Sequence, residues 1–374
     1  MTSCARDKKG WKIAAHAFRL VLGAVFVMSG FVKSVDPWGT ALKVNEYLSI
    51  YGLESWIPAS MLFSIWLCGA ELMMGLMLMF KVRIRLVSIF ALLSMIFFTV
   101  LTFLSATWIP VEDCGCFGEA LKLTPWQTFA KNAVMLPMAF VVWWYHRPER
   151  VWAFSRRELL LALLFFSTGM GVGSYCWYHL PLIDFLPYRV GVNIAEEMGR
   201  TDEGAEAREV SVVCRNIASG EERTFALNDP EWQNAERWEW LDTVVADVDD
   251  AAVVKPMISE FSVRDAEGDA TEAVTMVAGR LYVLCVTRLS GLEEECAGRM
   301  RMVVERAQRE GAQTVCLTPE HLEEVTYHSF DGSAPVRCYN VDATLMKTML
   351  RARDGLIVLD DGTIVEKLNC RDIN

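Results

Sequence analysis

Five runs of apolar residues, roughly 13–32, 59–80, 86–109, 125–145 and 158–178, occupy most of the first half of the chain. Each is long enough to cross a bilayer as a helix, which takes about 20 residues. Beyond residue 182 the pattern breaks into shorter units. Over 208–280, brief runs alternate polar and apolar, as in Glu209–Cys214, Arg223–Leu227 and Thr243–Val248, with Gly220 and Asn228-Asp229-Pro230 between them. This predicts a small antiparallel β region. From residue 280 the pattern predicts a strand over Leu281–Thr287, an amphipathic helix over Glu293–Arg309, strands over Thr314–Thr318 and Val336–Tyr339, and a helix over Ala343–Arg351. A hairpin closes the chain, its arms Gly355–Leu359 and Thr363–Leu368 flanking Asp360-Asp361-Gly362. The expected fold class is an α-helical membrane bundle of four helices plus a fifth transmembrane helix, followed by an external α+β region.

Charge adds a direction to this pattern. Residues 1–181 hold 16 Lys and Arg against 10 Asp and Glu, whereas residues 182–374 hold 20 against 37. The basic residues of the first half cluster at Arg6–Lys12, Lys81–Arg85 and Arg147–Arg157, all on one side of the alternating spans. The positive-inside rule then makes the N-terminus cytoplasmic and puts the 110–124 loop and everything after about residue 180 outside, in the periplasm if the host membrane is a bacterial inner membrane. The first span lacks a small-residue cleavage site and reads as an uncleaved anchor. Trp38, Trp56, Trp108 and Trp126 lie near external span ends, and Trp143, Trp144 and Trp152 near internal ones, where interfacial indoles belong. The acidic excess outside argues against nucleic acid as a partner.

The loop between the third and fourth spans reads Asp-Cys-Gly-Cys-Phe-Gly, with Cys114 and Cys116 one residue apart. Two thiols this close at a membrane surface suit thiol–disulfide exchange, which needs an exposed thiolate and a leaving thiol nearby. Gly115 lets the backbone bend between them. Glu112, Asp113 and Glu119 disfavour the thiolate, and the N-terminus of the helix that starts at Thr124-Pro125 offsets part of that charge. The alternatives are a disulfide that only shapes the loop, or a metal site. In the second span Glu71 is a carboxyl in hydrocarbon, so it faces the bundle interior as a proton relay, a quinone contact or a packing hydrogen bond. Lys33 and Asp36 are expected to pair locally. Cys176 and His179 lie three apart at the external end of the fifth span, where one helix face would present a second thiol beside a base.

Ser29-Gly30-Phe31-Val32-Lys33-Ser34-Val35-Asp36-Pro37-Trp38 and the amphipathic stretch that ends Asn45-Glu46-Tyr47-Leu48 resemble the DoxX family of four-helix membrane proteins. The Cys-Gly-Cys loop narrows the likeness to its MauE branch, over about residues 11–147. The resemblance implies an association with methylamine utilisation and help with disulfide formation in a periplasmic protein, and it matches Glu71 to a Glu of DoxX-like proteins. The strand and helix order over about 278–370 is similar to the C-terminal part of the thioredoxin fold. Val286–Gly291 lacks the Cys-x-x-Cys of a thioredoxin catalyst, Arg353-Asp354-Gly355 lacks its proline, and Cys296 stands alone, so that domain reads as degenerate. Cys285 and Cys316 sit in strand runs and are expected to be buried small apolar residues, while Cys338 and Cys370 pair or stay free.

The expected organisation is a DoxX/MauE-like bundle at 1–150, a fifth transmembrane helix at 151–181, an external linker and β-rich region at 182–277, and a degenerate thioredoxin-like domain at 278–374. In that region Pro181, Pro187 and Gly191 mark an extended linker, and Asp184 and Arg189 are expected to carry it away from the membrane. The leading function is thiol–disulfide redox or disulfide maturation through Cys114 and Cys116, with Glu71, Cys176 and His179 as further site candidates and quinone as candidate acceptor. A periplasmic thiol protein and the lipid bilayer are the expected partners, and no metal site is assigned. The rival classes are a non-catalytic membrane-anchored scaffold and a quinol-linked respiratory subunit of the DoxX type.

Overall fold

The protein is described by a computed structural model over residues 9–108, 115, 117–121, 123–147, 155–198, 210–217, 222–226, 232, 237–245, 258 and 261–374. Six long helices open the chain: α1 (Lys9–Val35), α2 (Pro37–Ile50), α3 (Ser60–Met79), α4 (Ile84–Thr107), α5 (Pro125–His146) and α6 (Arg156–Tyr178). Among the described residues four stretches are long and apolar enough to cross a membrane: α1, Glu54–Met79 (which contains α3), α4 and α6. The run at 125–145 does form a 22-residue helix, α5, which packs against α1 and α4. Gln127, Lys131, Asn132 and His146 dilute its apolar character, and Asn132 and His146 are buried.

Local chemistry sets the helix starts. Thr124 accepts from the Gln127 N–H and Gln127 returns a bond to the Thr124 backbone, a capping box in front of Pro125 at the first helical position. Ser155 and Glu158 do the same for α6. Small residues set how closely the helices approach. A Cβ on Gly30 of α1 would lie 2.5 Å from the backbone nitrogen of Leu72, so these two helices touch backbone to backbone, as membrane helices without a hydrophobic driving force tend to do.

Outside the bundle, β1 (Val210–Asn216), β2 (Glu222–Ala226) and β3 (Trp238–Val245) form the expected antiparallel sheet, in the order β2-β1-β3. Trp232 and Trp238 pack on its small core of Val212, Cys214 and Phe225, whereas Trp240 is exposed. The second sheet holds β4 (Val263–Asp265), β5 (Gly268–Asp269), β6 (Arg280–Cys285), β7 (Gln313–Thr318), β8 (Thr326–His328), β9 (Val336–Val341), β10 (Gly355–Asp360) and β11 (Thr363–Asn369), ordered β11-β10-β6-β7-β9-β4-β5 with β8 also on β9. Strands β6, β7 and β9 run parallel, and the hairpin β10–β11 is antiparallel to them, closed by Asp361 and Gly362 at positive φ. Between β5 and β6 lies the short helix α7 (Glu272–Thr275). On one face α8 (Glu294–Glu310) buries Met300, Val303, Val304 and Ala307; on the other α9 (Ala343–Leu350) buries Met346, Met349 and Leu350. Because Phe261, Val263 and Tyr188 share that second core, the folded unit starts well before residue 278.

The stretch after α6 does not lead away from the bundle as the sequence predicts. It returns along β11: the Gly191 N–H donates to the Ile364 carbonyl at 2.7 Å, Asn193 bridges to Thr363, and Lys367 donates to Asp184 at 2.8 Å. An open strand edge and a buried ammonium both need partners, and the linker supplies them. A second attachment is the ion pair between Asp36, which caps α2 through the Gly39 N–H, and Arg351, which ends α9; their atoms stand 3.1 Å apart, with Arg351 1% exposed.

Arg351→Met leaves the Asp36 carboxylate buried without that partner, and removing one member of a buried pair costs about 3–5 kcal/mol. We expect a lower unfolding temperature in detergent for Arg351→Met, largely recovered in the Asp36→Asn/Arg351→Met double variant, where neither charge remains and the α2 cap is kept. Additive losses in the double variant would contradict the pairing.

Candidate functional site

Cys114 and Cys116, the leading sequence candidates, lie outside the described residues. Gly115 between them is described. Its φ of +64° is in the left-handed region that glycine adopts without strain, and its carbonyl accepts from the Gly118 N–H at 3.1 Å, closing a turn. The Lys43 side chain of α2 lies over Gly115, close enough that a Cβ there would meet Lys43 Cγ at 3.1 Å. Phe117 is buried with the Lys131 ammonium of α5 4.4 Å from its ring centroid. The loop is thereby held between α2 and α5.

Below this turn, a polar cluster sits in the bundle interior. Glu71 accepts from the Lys33 ammonium at 2.7 Å and from the Ser29 hydroxyl at 2.6 Å, and all three residues are less than a tenth exposed. The expectation that Lys33 would pair with Asp36 is overturned. One turn of α1 separates two different partners, since Lys33 turns into the bundle toward Glu71 and Asp36 turns out toward Arg351. Lys33 Nζ also lies 5.9 Å from the Phe98 ring centroid, and Asn132 reaches the Phe98 carbonyl and Thr102 hydroxyl at 3.4 Å each.

Two cavities meet this cluster. The smaller, about 30 Å³, has Ser29, Lys33, Glu71, Lys131 and Asn132 among otherwise apolar walls such as Phe26, Met95 and Phe117. The larger, about 270 Å³, runs between α2 and α4 and has Lys33, Lys43, Tyr47, Phe97, Phe98 and Gly115 among its walls. Its surface is mostly apolar, with the Lys33 ammonium as a buried positive charge and Gly115, covalent neighbour of both loop cysteines, also on the wall. Such a site can accept a flat apolar molecule with a polar group directed at Lys33.

The other candidates scatter. Cys176 is fully buried in α6, whereas His179 ends that helix in extended backbone, stacks on Tyr175 at 4.6 Å and brings Nδ1 to 2.7 Å from Asp372. They do not share a helix face, because the helix stops between them. Cys285 and Cys316 are buried in the sheet, as expected; burial pushes the Cys285 thiol up to about 12, and a hydrogen bond with Cys338 together with burial pushes Cys316 well up. Thiols held this protonated are inert. Cys296 is not alone: it is disulfide-bonded to Cys370, with their Cα atoms 5.7 Å apart, and Cys338 stays a thiol beside Cys316. Sequence reasoning missed that pair, since the two positions are 74 residues apart. It also missed Ser29 and Lys33 as partners of Glu71, although their spacing from one another on α1, one helical turn, was a usable signal.

Glu71→Leu takes from the buried Lys33 ammonium the carboxylate that accepts from it at 2.7 Å. We expect it to lower the unfolding temperature in detergent micelles, with Lys33→Met/Glu71→Leu restoring most of the loss. A Glu71→Leu protein as stable as the original would refute the pairing.

Protein TlpB of Flavobacterium psychrophilum is 28% identical over 126 residues, covering 32% of this chain and 34% of that protein. The chain thus spans about a third of that relative's length. No solved structure matches the chain. Residues 11–145, from the first turn of α1 to the end of α5, match the family described as methylamine utilisation protein MauE.

Proposed function

We propose that this protein is a multi-pass membrane thiol–disulfide oxidoreductase in which Cys114 and Cys116 exchange a disulfide with an external protein dithiol and pass the electrons to a quinone-class acceptor beside Lys33. The observation that carries this reading is the groove of about 270 Å³ whose wall includes both Gly115, between the two cysteines, and Lys33, held by Glu71. The MauE match over 11–145 supports it. So does the asymmetry of basic residues, by which the N-terminus faces the cytoplasm and the Cys-Gly-Cys loop and C-terminal half face the periplasm of a bacterial inner membrane.

In the first step a thiolate of the external dithiol attacks one sulfur of the Cys114–Cys116 disulfide, and the other sulfur leaves as a thiolate. The second thiol of the donor then resolves the mixed disulfide, so the donor is oxidised and both loop cysteines are reduced, with two electrons and two protons transferred. A bound quinone supplies a two-electron, two-proton acceptor. The residues present fit it: Phe97, Phe98 and Tyr47 offer flat apolar walls, and Lys33 offers an N–H donor in a water-poor site. Glu71 and Ser29 fix the Lys33 chain so that its direction is set before any ligand arrives. The positive charge at Lys33 and Lys43 also favours a thiolate at the loop, offsetting Glu112 and Asp113.

The external unit is read as thioredoxin-like. Parallel β6 and β7 joined through α8, then α9 and an antiparallel hairpin, support that topology. Its attachment to the bundle through Asp36–Arg351 favours one working unit over a tethered scaffold.

The test is reduction of a short-chain ubiquinone by a dithiol donor, followed optically with the protein in nanodiscs. Cys114→Ser and Cys116→Ser should fall to background. Lys33→Met/Glu71→Leu should keep its unfolding temperature yet lose roughly 100-fold in rate, the usual cost of deleting a donor aimed at developing charge. Loop thiols that alkylation never finds oxidised, or serine variants as active as the original, would sink the proposal.

A further inference from the structure

The groove of about 440 Å³ between the outer end of the bundle and the external domain has a disulfide in its wall. Trp38 of α2 and Trp177 and Tyr178 of α6 form one side; Cys296 and Arg299 of α8, Asp354 before β10 and Cys370 after β11 form the other. We propose that the Cys296–Cys370 disulfide is a second redox-active centre, opened and closed by exchange with a protein dithiol that enters this groove. The proposal stands on the geometry of Cys296 and Cys370 and does not depend on the reading of Cys114 and Cys116.

Cys296 (8% exposed) and Cys370 (5%) pack in the core beneath α8, yet both also line the groove, so the disulfide lies where the core meets it. The charges around it have both signs: Glu293, Glu294 and Glu295 open α8 beside Cys296 and Asp354 lines the same groove, and the helix N-terminus and two guanidiniums oppose them. Cys296 is the third residue of the 17-residue helix α8, so its sulfur lies at the positive end of the helix dipole. Arg299, one turn on, donates to the Cys370 carbonyl at 3.2 Å and to the Arg371 carbonyl, and pairs with Glu295 at 2.7 Å. Arg371 stacks on Tyr178 at 4.7 Å, bringing a second guanidinium to the same groove. These groups stabilise a thiolate at Cys296, and the sulfur better stabilised as a thiolate is the better leaving group.

The step follows from that polarity. A thiolate of the incoming dithiol attacks Sγ of Cys370, the Cys296–Cys370 bond breaks, and Cys296 departs as a thiolate. The second thiol of the donor attacks its own sulfur in the mixed disulfide, releasing Cys370. The donor ends as a disulfide and Cys296 and Cys370 as two thiols, so two electrons and two protons have moved. The walls match a peptide donor: aromatic rings on the bundle side to hold a chain, and guanidinium and carboxyl groups on the domain side. The dithiol is either the chain's own Cys114/Cys116 pair or that of another protein.

The test uses the full-length protein in nanodiscs without denaturant. It is incubated with a reduced Cys-Gly-Cys peptide, quenched in acid, alkylated with N-ethylmaleimide and digested with trypsin, and the cross-linked pair 289–299 with 368–371 is followed by mass spectrometry. Loss of the cross-linked pair, its return when the peptide is replaced by an oxidised disulfide, and a mixed disulfide on Cys370 of the unsubstituted protein with a Cys-Gly-Ser peptide, which lacks the resolving thiol, support the proposal. A cross-link that survives the peptide until denaturant is added makes the disulfide a structural staple and overturns it. Cys114→Ser/Cys116→Ser separates the sources in membranes: a changed redox state at 296 and 370 assigns the dithiol to the loop, and an unchanged one assigns it to another protein. The loop cysteines are read from their own peptide, 86–122, in the same digest, so failure there is seen separately from failure here.

Discussion

A charge in a low-dielectric interior must meet an opposite charge or a dense set of hydrogen bonds, and the end of α1 meets this requirement twice. Lys33 turns inward to Glu71 on α3, with Ser29 completing the carboxylate's shell. Asp36, three residues on, turns outward to Arg351 at the end of α9. The two pairs lock the bundle internally and lock the external domain onto it, and both originate from a single helical turn and the cap that follows it. The backbone contact at Gly30 with Leu72 sits between them and brings α1 and α3 close enough for the inner pair to form.

That arrangement gives the bundle a polar, charged interior at the end nearest the C-terminal domain rather than a uniform apolar core. The Lys33 ammonium is held in one direction and exposed to a groove, and the same groove reaches the turn at Gly115. Lys43 and Lys131 flank that turn at Gly115 and Phe117, so α2 and α5 bring cations to it. A buried positive charge and apolar walls coincide at one place.

The external domain divides its cysteines between sheet and groove. Cys285, Cys316 and Cys338 lie inside the sheet, where burial keeps the first two protonated and unreactive. Cys296 and Cys370, also buried, are bonded to each other and line the groove whose other wall carries the aromatic residues of the bundle. The linker along β11 and the Asp36–Arg351 pair fix which edge of the domain faces the membrane end, so the position of the disulfide follows from the docking.

Much of this was legible in the amino-acid order. Apolar runs of spanning length, the alternation in 210–245, the β6–α8–β7 unit and the Asp360-Asp361-Gly362 hairpin all follow from local periodicity and turn chemistry, which act within a few residues. Glu71 was identifiable because a carboxyl in hydrocarbon is anomalous wherever it points. What only tertiary structure decided was pairing at a distance. Lys33 chose Glu71 over its near neighbour Asp36, Asp36 chose Arg351 some three hundred residues away, Cys296 chose Cys370, and His179 chose Asp372 instead of Cys176. Sequence spacing sets which partners can meet within a helix or hairpin, but the choice among distant partners depends on which faces the packed backbones bring within a few ångströms, where the cost of an unpaired buried charge selects one.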